Sequence, residues 1–381
     1  MSPGRTKKRR LKDDLPEWSH GTITMALRSA MTAFQMFGLE ASLDEMDRLG
    51  RIFAATPVNR KQLRRCRNRI AFAFPEWDED RVEHVARGVW GHLFQLGAEM
   101  LYTPRLLSID NWVRHVSFGK ASEAFAEVLA NRPVVLITGH FGNWELLGYA
   151  LSVMGVPVHA VYRPLDLKPL DRWIRDVREK RGMKLVDKFG AVRELPLAMD
   201  RGALPAFVAD QNAGDRGLFV PFFGRLTSTY KSVGMLAMQK NAAIICGSGV
   251  RSPRRGPDGV DLLHDHAKGR WTDTLGYRLD IHDVITPKDW ADQPDPLFYI
   301  TARYRWSIEK MVRTAPEQYF WMHRVWKSRP RHERLRRPFP ENLKRKLLDL
   351  PWMDEAGVEQ IVDQSARDTA ELDRLGGDRL E

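Results

Sequence analysis

Cysteine is scarce. Cys66 and Cys246 are the only two in 381 residues, too few to build a disulfide framework or a cysteine-ligated metal centre on their own. They suit a reducing compartment. No run of ~20 uninterrupted apolar residues occurs, and mean hydropathy is -0.42. That excludes an evident membrane-spanning helix. There is no glycine-rich phosphate loop, no His-Glu-x-x-His and no internal repeat. What is present is enough apolar material for a core. Apolar residues make up 43% and charged residues 29%, which excludes a wholly disordered chain. At ~150 residues per domain the length fits two or three domains, or one large domain with terminal extensions.

Charge is unbalanced. Sixty Lys and Arg face 49 Asp and Glu, a net +11, with a pI near 9.7. The excess favours an anionic partner: nucleic acid, an acidic protein or a membrane surface. Recognised nucleic-acid modules are missing, and the basic residues are not interleaved with aromatics in one tract, so nucleic acid is not expected. Residues 1–20 read as a basic, disordered tail (RTKKRRLK), without the apolar stretch of a secretory signal. Ile23, Ala26, Leu27, Ala30, Phe34 and Phe37 then recur at helical spacing within 22–39. Such an amphipathic helix packs on its own protein or lies at a membrane interface. The basic run before it favours the interface, where each cation near anionic headgroups contributes about 1 kcal/mol.

Residues 21–115 read as a helical N-terminal region, with Pro75 and Pro104 as breaks. Val82, Val85, Val89, Leu93 and Leu96 form the apolar stripe of a packing helix. From 116 to 330 the texture is α/β. Strands are expected at 134–138, 158–162, 206–209 and 243–246, and helices at 144–154, 170–180 and 231–240. Alternation of this kind predicts a central, mostly parallel sheet flanked by helices. Residues 331–381 form a charged C-terminal extension. In open α/β sheets chemistry gathers at the carboxyl ends of strands, so the residues just after 138, 162 and 209 are the ones to inspect.

The first of these ends reads Thr-Gly-His-Phe-Gly-Asn-Trp-Glu (138–145). His140 and Glu145 are five apart and do not share a helix face. They can meet if the chain turns at Gly139 and Gly142, with Asn143 as helix N-cap. A neutral imidazole is a suitable general base near neutrality. A carboxylate on its other nitrogen fixes the tautomer and stabilises the imidazolium. No Ser or Cys lies inside the motif, so the attacking hydroxyl belongs to the substrate. A structural histidine or a metal ligand is the alternative. Arg163, after the second strand, can clamp phosphate or meet developing negative charge. Asp210, after the third, can orient His140 or Arg163 or cap a turn. The loop Gly217–Arg225 is unusually apolar and suits an acyl-chain wall, or packs as an ordinary loop.

Five segments together resemble a known family: VVLITGHFGNWELLG (134–148), VYRPLDLKPLDRWI (161–174), FVADQNAGDRGLFVPFFGR (207–225), the helix–strand unit at 236–245, and PEQYFWMHRVWKSRP (316–330). The upstream NRIAFAFPEWDEDR (68–81) is also similar. The chain resembles the lysophospholipid acyltransferase superfamily, specifically its lipid A biosynthesis (lauroyl/myristoyl) branch, over about residues 45–330. The resemblance implies transfer of a fatty acyl group from acyl carrier protein or acyl-CoA to a hydroxyl of a glycolipid acceptor, with no metal or organic cofactor. It implies His140 and Glu145 as the catalytic dyad. Arg163, Asp210, Gln211, Asn143, Phe222 and Arg225 are the candidate substrate-binding positions. It also implies a place on the cytoplasmic face of the inner membrane. Residues 22–39 are shorter than the family's usual anchor helix and are interrupted by Arg28, so the attachment expected is peripheral or monotopic, to an anionic membrane surface. The competing expectation is a non-catalytic lipid-binding protein of the same fold.

Overall fold

The computed structural model describes residues 38–165, 168–252 and 276–380, the pairs 264–265 and 270–271, and positions 21, 22, 25 and 29. The basic tail at 1–20 and most of the expected amphipathic segment at 22–39 lie outside the described residues. Among the described residues no helix is long and apolar enough to cross a membrane.

After Gly38 come three helices: α1 (Leu39–Ala54), α2 (Arg60–Ala73) and α3 (Glu79–Leu106). Asp78 caps α3 by accepting from the Arg81 N–H, and acidic Glu79 and Asp80 suit the positive end of the helix. Pro75 ends α2, as expected. Pro104 does not end α3, because it sits in the last turn and the helix runs on to Leu106. Val82, Val85, Val89 and Leu96 of the predicted stripe are buried and Leu93 is half-buried.

The chain then builds β1 (Val116–Phe118), α4 (Ser122–Leu129), β2 (Val134–Thr138), α5 (Trp144–Val153), β3 (Val158–Tyr162), α6 (Lys168–Glu179), β4 (Lys184–Asp187), α7 (Ala191–Met199) and β5 (Leu204–Val208). A hairpin, β6 (Leu218–Phe222) and β7 (Arg225–Thr229), precedes α8 (Ser232–Lys240) and β8 (Ala243–Arg251). Two short strands, β9 (His264–Asp265) and β10 (Arg270–Trp271), lead to β11 (Tyr277–Ile285). Helices α9 (Pro287–Trp290), α10 (Pro296–Thr314), α11 (Arg331–Arg334), α12 (Glu341–Leu348) and α13 (Glu355–Arg374) complete the chain.

Seven strands form one sheet in the order β1-β11-β8-β2-β5-β3-β4. Every neighbouring pair is parallel except β11 with β8. The order explains why β2 reads as a continuous apolar run: it is central, between β8 and β5, and buried on both faces. Val135, Ile137, Ile244 and Cys246 share the main core with residues of α7, α8 and α10. Val134, Leu136 and Ile245 pack with Ala124 and Val128 of α4 on the other face. Each such buried side chain contributes about 1.5–3 kcal/mol of transfer free energy.

The apolar 217–225 segment is not a loop beside a cleft. It is the β6–β7 hairpin, turning at Phe223 (φ 51°) and Gly224 (φ 68°). Positive φ at both central positions makes the turn that matches strand twist. Asn-Gly or Asp-Gly would have signalled it; Phe-Gly does not. The extension after 330 packs inward: Leu347 of α12 and Val358 and Ile361 of α13 belong to the main core.

Four histidines make stability depend on pH. Burial is the first cause at each. It puts His92 well below its ordinary value and lowers His282, His323 and His332 to about 4. Unfolded imidazoles titrate near ~6.5. As pH falls from there towards ~4 the unfolded chain binds protons that the folded chain refuses, so stability is lost across that window. Glu333, whose carboxyl burial raises, works in the opposite direction, one group against four. The urea midpoint is expected to fall steadily between pH 7 and pH 4.5. A flat profile would contradict the burial of these rings.

Candidate functional site

Strand β2 delivers Gly139 and His140 to its carboxyl end, and the chain turns at once into α5. Gly142 makes that turn possible. Its φ is +58°, and a Cβ there would stand 2.1 Å from the Gly249 carbonyl oxygen, so no other residue fits without moving β8. The turn is tied down on all sides. Gly142 N–H donates to the Gln318 carbonyl and Asn143 N–H to the Gly249 carbonyl. The Asn143 side chain caps α5 by accepting from Leu146 N–H at 2.8 Å and donates to buried Glu99 at 2.9 Å. The His140 carbonyl accepts from Phe320 N–H.

The imidazole this turn presents is held on three sides. Its Nδ1 lies 2.6 Å from Oδ1 of Asp210. Asp210 is fully buried and follows β5, whose parallel pairing with β2 sets Thr138 against Val208 and so brings the two strand ends together. Burial alone would raise the Asp210 carboxyl. The charge and hydrogen bond of His140, with His323 and Arg305 behind, instead hold it well below the usual carboxylate range. An ionised acceptor at Nδ1 assigns that nitrogen the proton and leaves Nε2 with its lone pair. The Gln211 amide nitrogen faces Nε2 at 3.4 Å and His323 Nε2 at 3.2 Å. Trp144 and His323 stand edge-on to the His140 ring, with centroids 4.9 and 4.6 Å away.

His140, Trp144, Glu145, Arg163, Arg178 and Gln211 line a cavity of about 1230 Å³, above the ~300–1,000 Å³ of most small-molecule sites. Its walls are apolar. Leu136, Ala160, Leu204, Ala206 and Ile281 come from the sheet, and Leu147 and Leu151 from α5. Phe189 and Val192, both largely exposed, and Lys188 and Lys231 lie on its outer parts.

Glu145 shares this cavity with His140 but does not reach its Nδ1, which Asp210 holds. The Glu145 carboxylate takes a bidentate pair from Arg178 at 2.7 and 2.5 Å and accepts from Trp144 Nε1 at 3.2 Å. Arg163 is exposed just past β3. Three other candidates point elsewhere. Asn143 is buried in the turn. Phe222 is buried in the main core, with the Arg305 guanidinium 3.9 Å above its ring. Arg225 pairs with Asp368. None of the three lines the cavity, because the hairpin that carries two of them folds against α10 and α13. Sequence reasoning also passed over Arg178 and His323. Only the latter carried a signal, a histidine inside a recognised segment.

His140, Asp210 and His323 are the only group of ligand-type side chains among the described residues whose donor atoms lie within 4.8 Å of one another. The Asp210 hydrogen bond already uses His140 Nδ1, and Arg305, whose Nη1 donates to the Asp210 carbonyl at 2.6 Å, opposes a further positive charge there.

Comparison with known proteins gives the chain its family. Residues 19–328 match the family described as bacterial lipid A biosynthesis acyltransferase. A lipid A biosynthesis lauroyltransferase of Escherichia coli is 27% identical over 268 residues, 68% of this chain and 78% of that protein. A lipid A biosynthesis palmitoleoyltransferase of the same organism is 30% identical over 206 residues, 53% of this chain and 58% of that protein. A lipid A biosynthesis acyltransferase of Haemophilus influenzae is 22% identical over 275 residues, 71% and 77% respectively.

Proposed function

The chain belongs to the bacterial lipid A biosynthesis acyltransferase family and is an O-acyltransferase, and we propose that it moves a fatty acyl group from an acyl thioester to a hydroxyl of a lipid A precursor, with His140 as general base. The single observation that carries the mechanism is the pairing of Nδ1 with buried Asp210 in a histidine, His140, that lines an apolar cavity.

In the first step the acceptor hydroxyl gives its proton to His140 Nε2 as its oxygen bonds to the thioester carbonyl carbon. The carbonyl π pair moves onto oxygen. Collapse of that oxyanion breaks the C–S bond, and the departing thiolate takes the proton from the imidazolium. An ester and a free thiol result. Asp210 keeps Nδ1–H in place and stabilises the imidazolium between the two proton transfers. A positioned base of this kind contributes ~10²–10⁴-fold.

The fatty chain lies along the sheet-face residues of the cavity, where its burial contributes about 0.8 kcal/mol per methylene. Glu145, fixed by Arg178, presents polar atoms to the acceptor inside the same cavity. Arg163 at the rim meets an acceptor phosphate. The donor is an acyl carrier protein, acidic and steered to the basic surface, with acyl-CoA as its alternative. The protein works at the cytoplasmic face of the inner membrane as a peripheral protein. Exposed Phe189 and Val192, with Lys188 and Lys231 near them, suit an anionic lipid surface.

Purified protein, radiolabelled acyl carrier protein and a lipid A precursor in micelles test the reading. The expected product is a labelled lipid ester with release of free carrier, slowed about 10²–10⁴-fold by His140→Ala. A His140→Ala protein with the wild-type rate removes the imidazole from the chemistry.

A further inference from the structure

The proton transfer leaves the oxyanion without an assigned donor. Two amides of the 138–145 turn, the obvious backbone candidates, are engaged: Gly142 N–H with Gln318 and Asn143 N–H with Gly249. Arg163 stands exposed at the rim. A side-chain donor within hydrogen-bond distance of the reacting nitrogen is the Gln211 amide, 3.4 Å from His140 Nε2.

We propose that Gln211 donates a hydrogen bond to the oxyanion of the tetrahedral intermediate, and that His323 is the positioning residue that holds the Gln211 amide for that role.

The amide has two protons. One points to His323 Nε2 at 3.2 Å, the other to His140 Nε2. The acceptor hydroxyl must itself come within hydrogen-bond reach of His140 Nε2. Its arrival displaces the amide from that nitrogen and leaves one N–H without a partner, while the other stays on His323. The freed N–H lies beside the attacking oxygen, and the oxyanion forms only two bonds from that oxygen. A donor aimed where charge develops, and not at the resting substrate, accelerates the step.

For this to work His323 must stay an acceptor. Burial, reinforced by the nearby cations Arg69 and Arg305 against the pull of Asp210, keeps its imidazole neutral near pH 7. Its place is fixed too. The 320–326 segment is tied to the Asp210–Asn212 segment by Asn212 Nδ2 donating to the Val325 carbonyl at 3.2 Å. The Arg305 bond to the Asp210 carbonyl anchors the same stretch. Gln211 and His323 therefore sit on two loops that are joined to each other independently of the amide bridge.

The inference rests on the acyl-transfer reading and is tested in the same assay with full-length protein. At the pH plateau Gln211→Ala is expected to lower kcat about 10²–10³-fold with KM little changed. Gln211→Glu keeps the shape without the N–H and should fall as far. His323→Ala should lower kcat roughly tenfold, a loss in the range of one oriented hydrogen bond. His323→Gln, which places an oxygen near the former Nε2, should recover most of it. Because His323 acts through the amide, adding His323→Ala to Gln211→Ala should cost nothing more. A Gln211→Glu enzyme with wild-type kcat, or losses that multiply in the double variant, overturns the proposal. So does a loss that appears as a shift of the acid limb instead of a lower plateau, since the amide would then serve only the imidazole. If His140→Ala is inactive while both Gln211 variants are normal, the base assignment survives and this one alone fails.

Discussion

Asp210→Asn is expected to abolish most of the turnover while leaving the protein folded and able to bind lipid. The carboxylate accepts the Nδ1 proton of His140 at 2.6 Å from a fully buried position. Asparagine offers an NH2 group in the same space. By donating to Nδ1 it would move the imidazole proton to Nε2, the nitrogen that has to accept from the hydroxyl. The variant therefore has a histidine but no base, and the developing imidazolium loses its counter-charge. The loss in kcat should match that of removing the imidazole, about 10²–10⁴-fold. Glu145→Gln makes the contrast. Its carboxylate is engaged by Arg178 and not by His140, so its effect should fall mainly on KM for the acceptor. Because the Asp210 carboxyl sits well below the usual carboxylate range, it stays ionised through the working pH, and no pH between 5.5 and 9 should restore the Asn variant. Single-turnover rates of the two variants decide the matter. A normal rate for Asp210→Asn with a dead Glu145→Gln would mean that Glu145 takes over Nδ1 when substrate binds.

How the site could be read in advance follows from which contacts are local. His140, the turn and Glu145 lie within eight consecutive residues at the end of a strand, so the strand–turn–helix that presents the imidazole was visible as a motif. The partner of Nδ1 was not, because Asp210 is seventy residues away and reaches His140 only through the pairing of β2 with β5. Sequence spacing could offer Asp210 as one option among several and could not choose it over the nearer Glu145. Of the two readings of 217–225, acyl-chain wall or packed segment, the hairpin fits the second, since none of its residues lines the cavity. Nine apolar-rich residues at 217–225 stand out in a sequence, whereas Leu136, Ala160, Leu204 and Ile281 look like ordinary strand residues. Only the sheet order gathers them on the wall of one cavity. Strand β2 was legible because a parallel strand buried on both faces is β-branched or apolar nearly throughout, and β3 and β5, half-buried over much of their length, still carry apolar residues at most positions. Edge strand β4, four residues beginning with an exposed Lys184, has no such signature.

The C-terminal extension should prove essential to stability through one carboxylate. Asp368 of α13 accepts from Arg225 of β7 at 2.8 and 2.5 Å, from fully buried Arg329 at 2.5 Å and from Gln364 at 2.9 Å. Arg329 also donates a bidentate pair to Glu333 at 2.7 and 2.9 Å. Two cations and two carboxylates thus neutralise each other out of water. All but Arg225 lie beyond residue 328, where the family match ends, yet they close over the hairpin. Removing one partner of a buried pair leaves its charge uncompensated and costs about 3–5 kcal/mol, a large share of a typical ~5–15 kcal/mol of stability. Asp368→Ala is therefore expected to lower the melting temperature by roughly 4–6 °C. The exposed pair Arg374–Glu371 supplies the control, since water screens it and breaking it should leave the melting temperature nearly unchanged. None of the clustered residues lines the cavity, so kcat of Asp368→Ala, measured well below its melting temperature, should match the wild type. A variant that melts within a degree or two of wild type would show that water reaches Arg329 and solvates it. A variant that melts normally but turns over slowly would instead tie the extension to the chemistry.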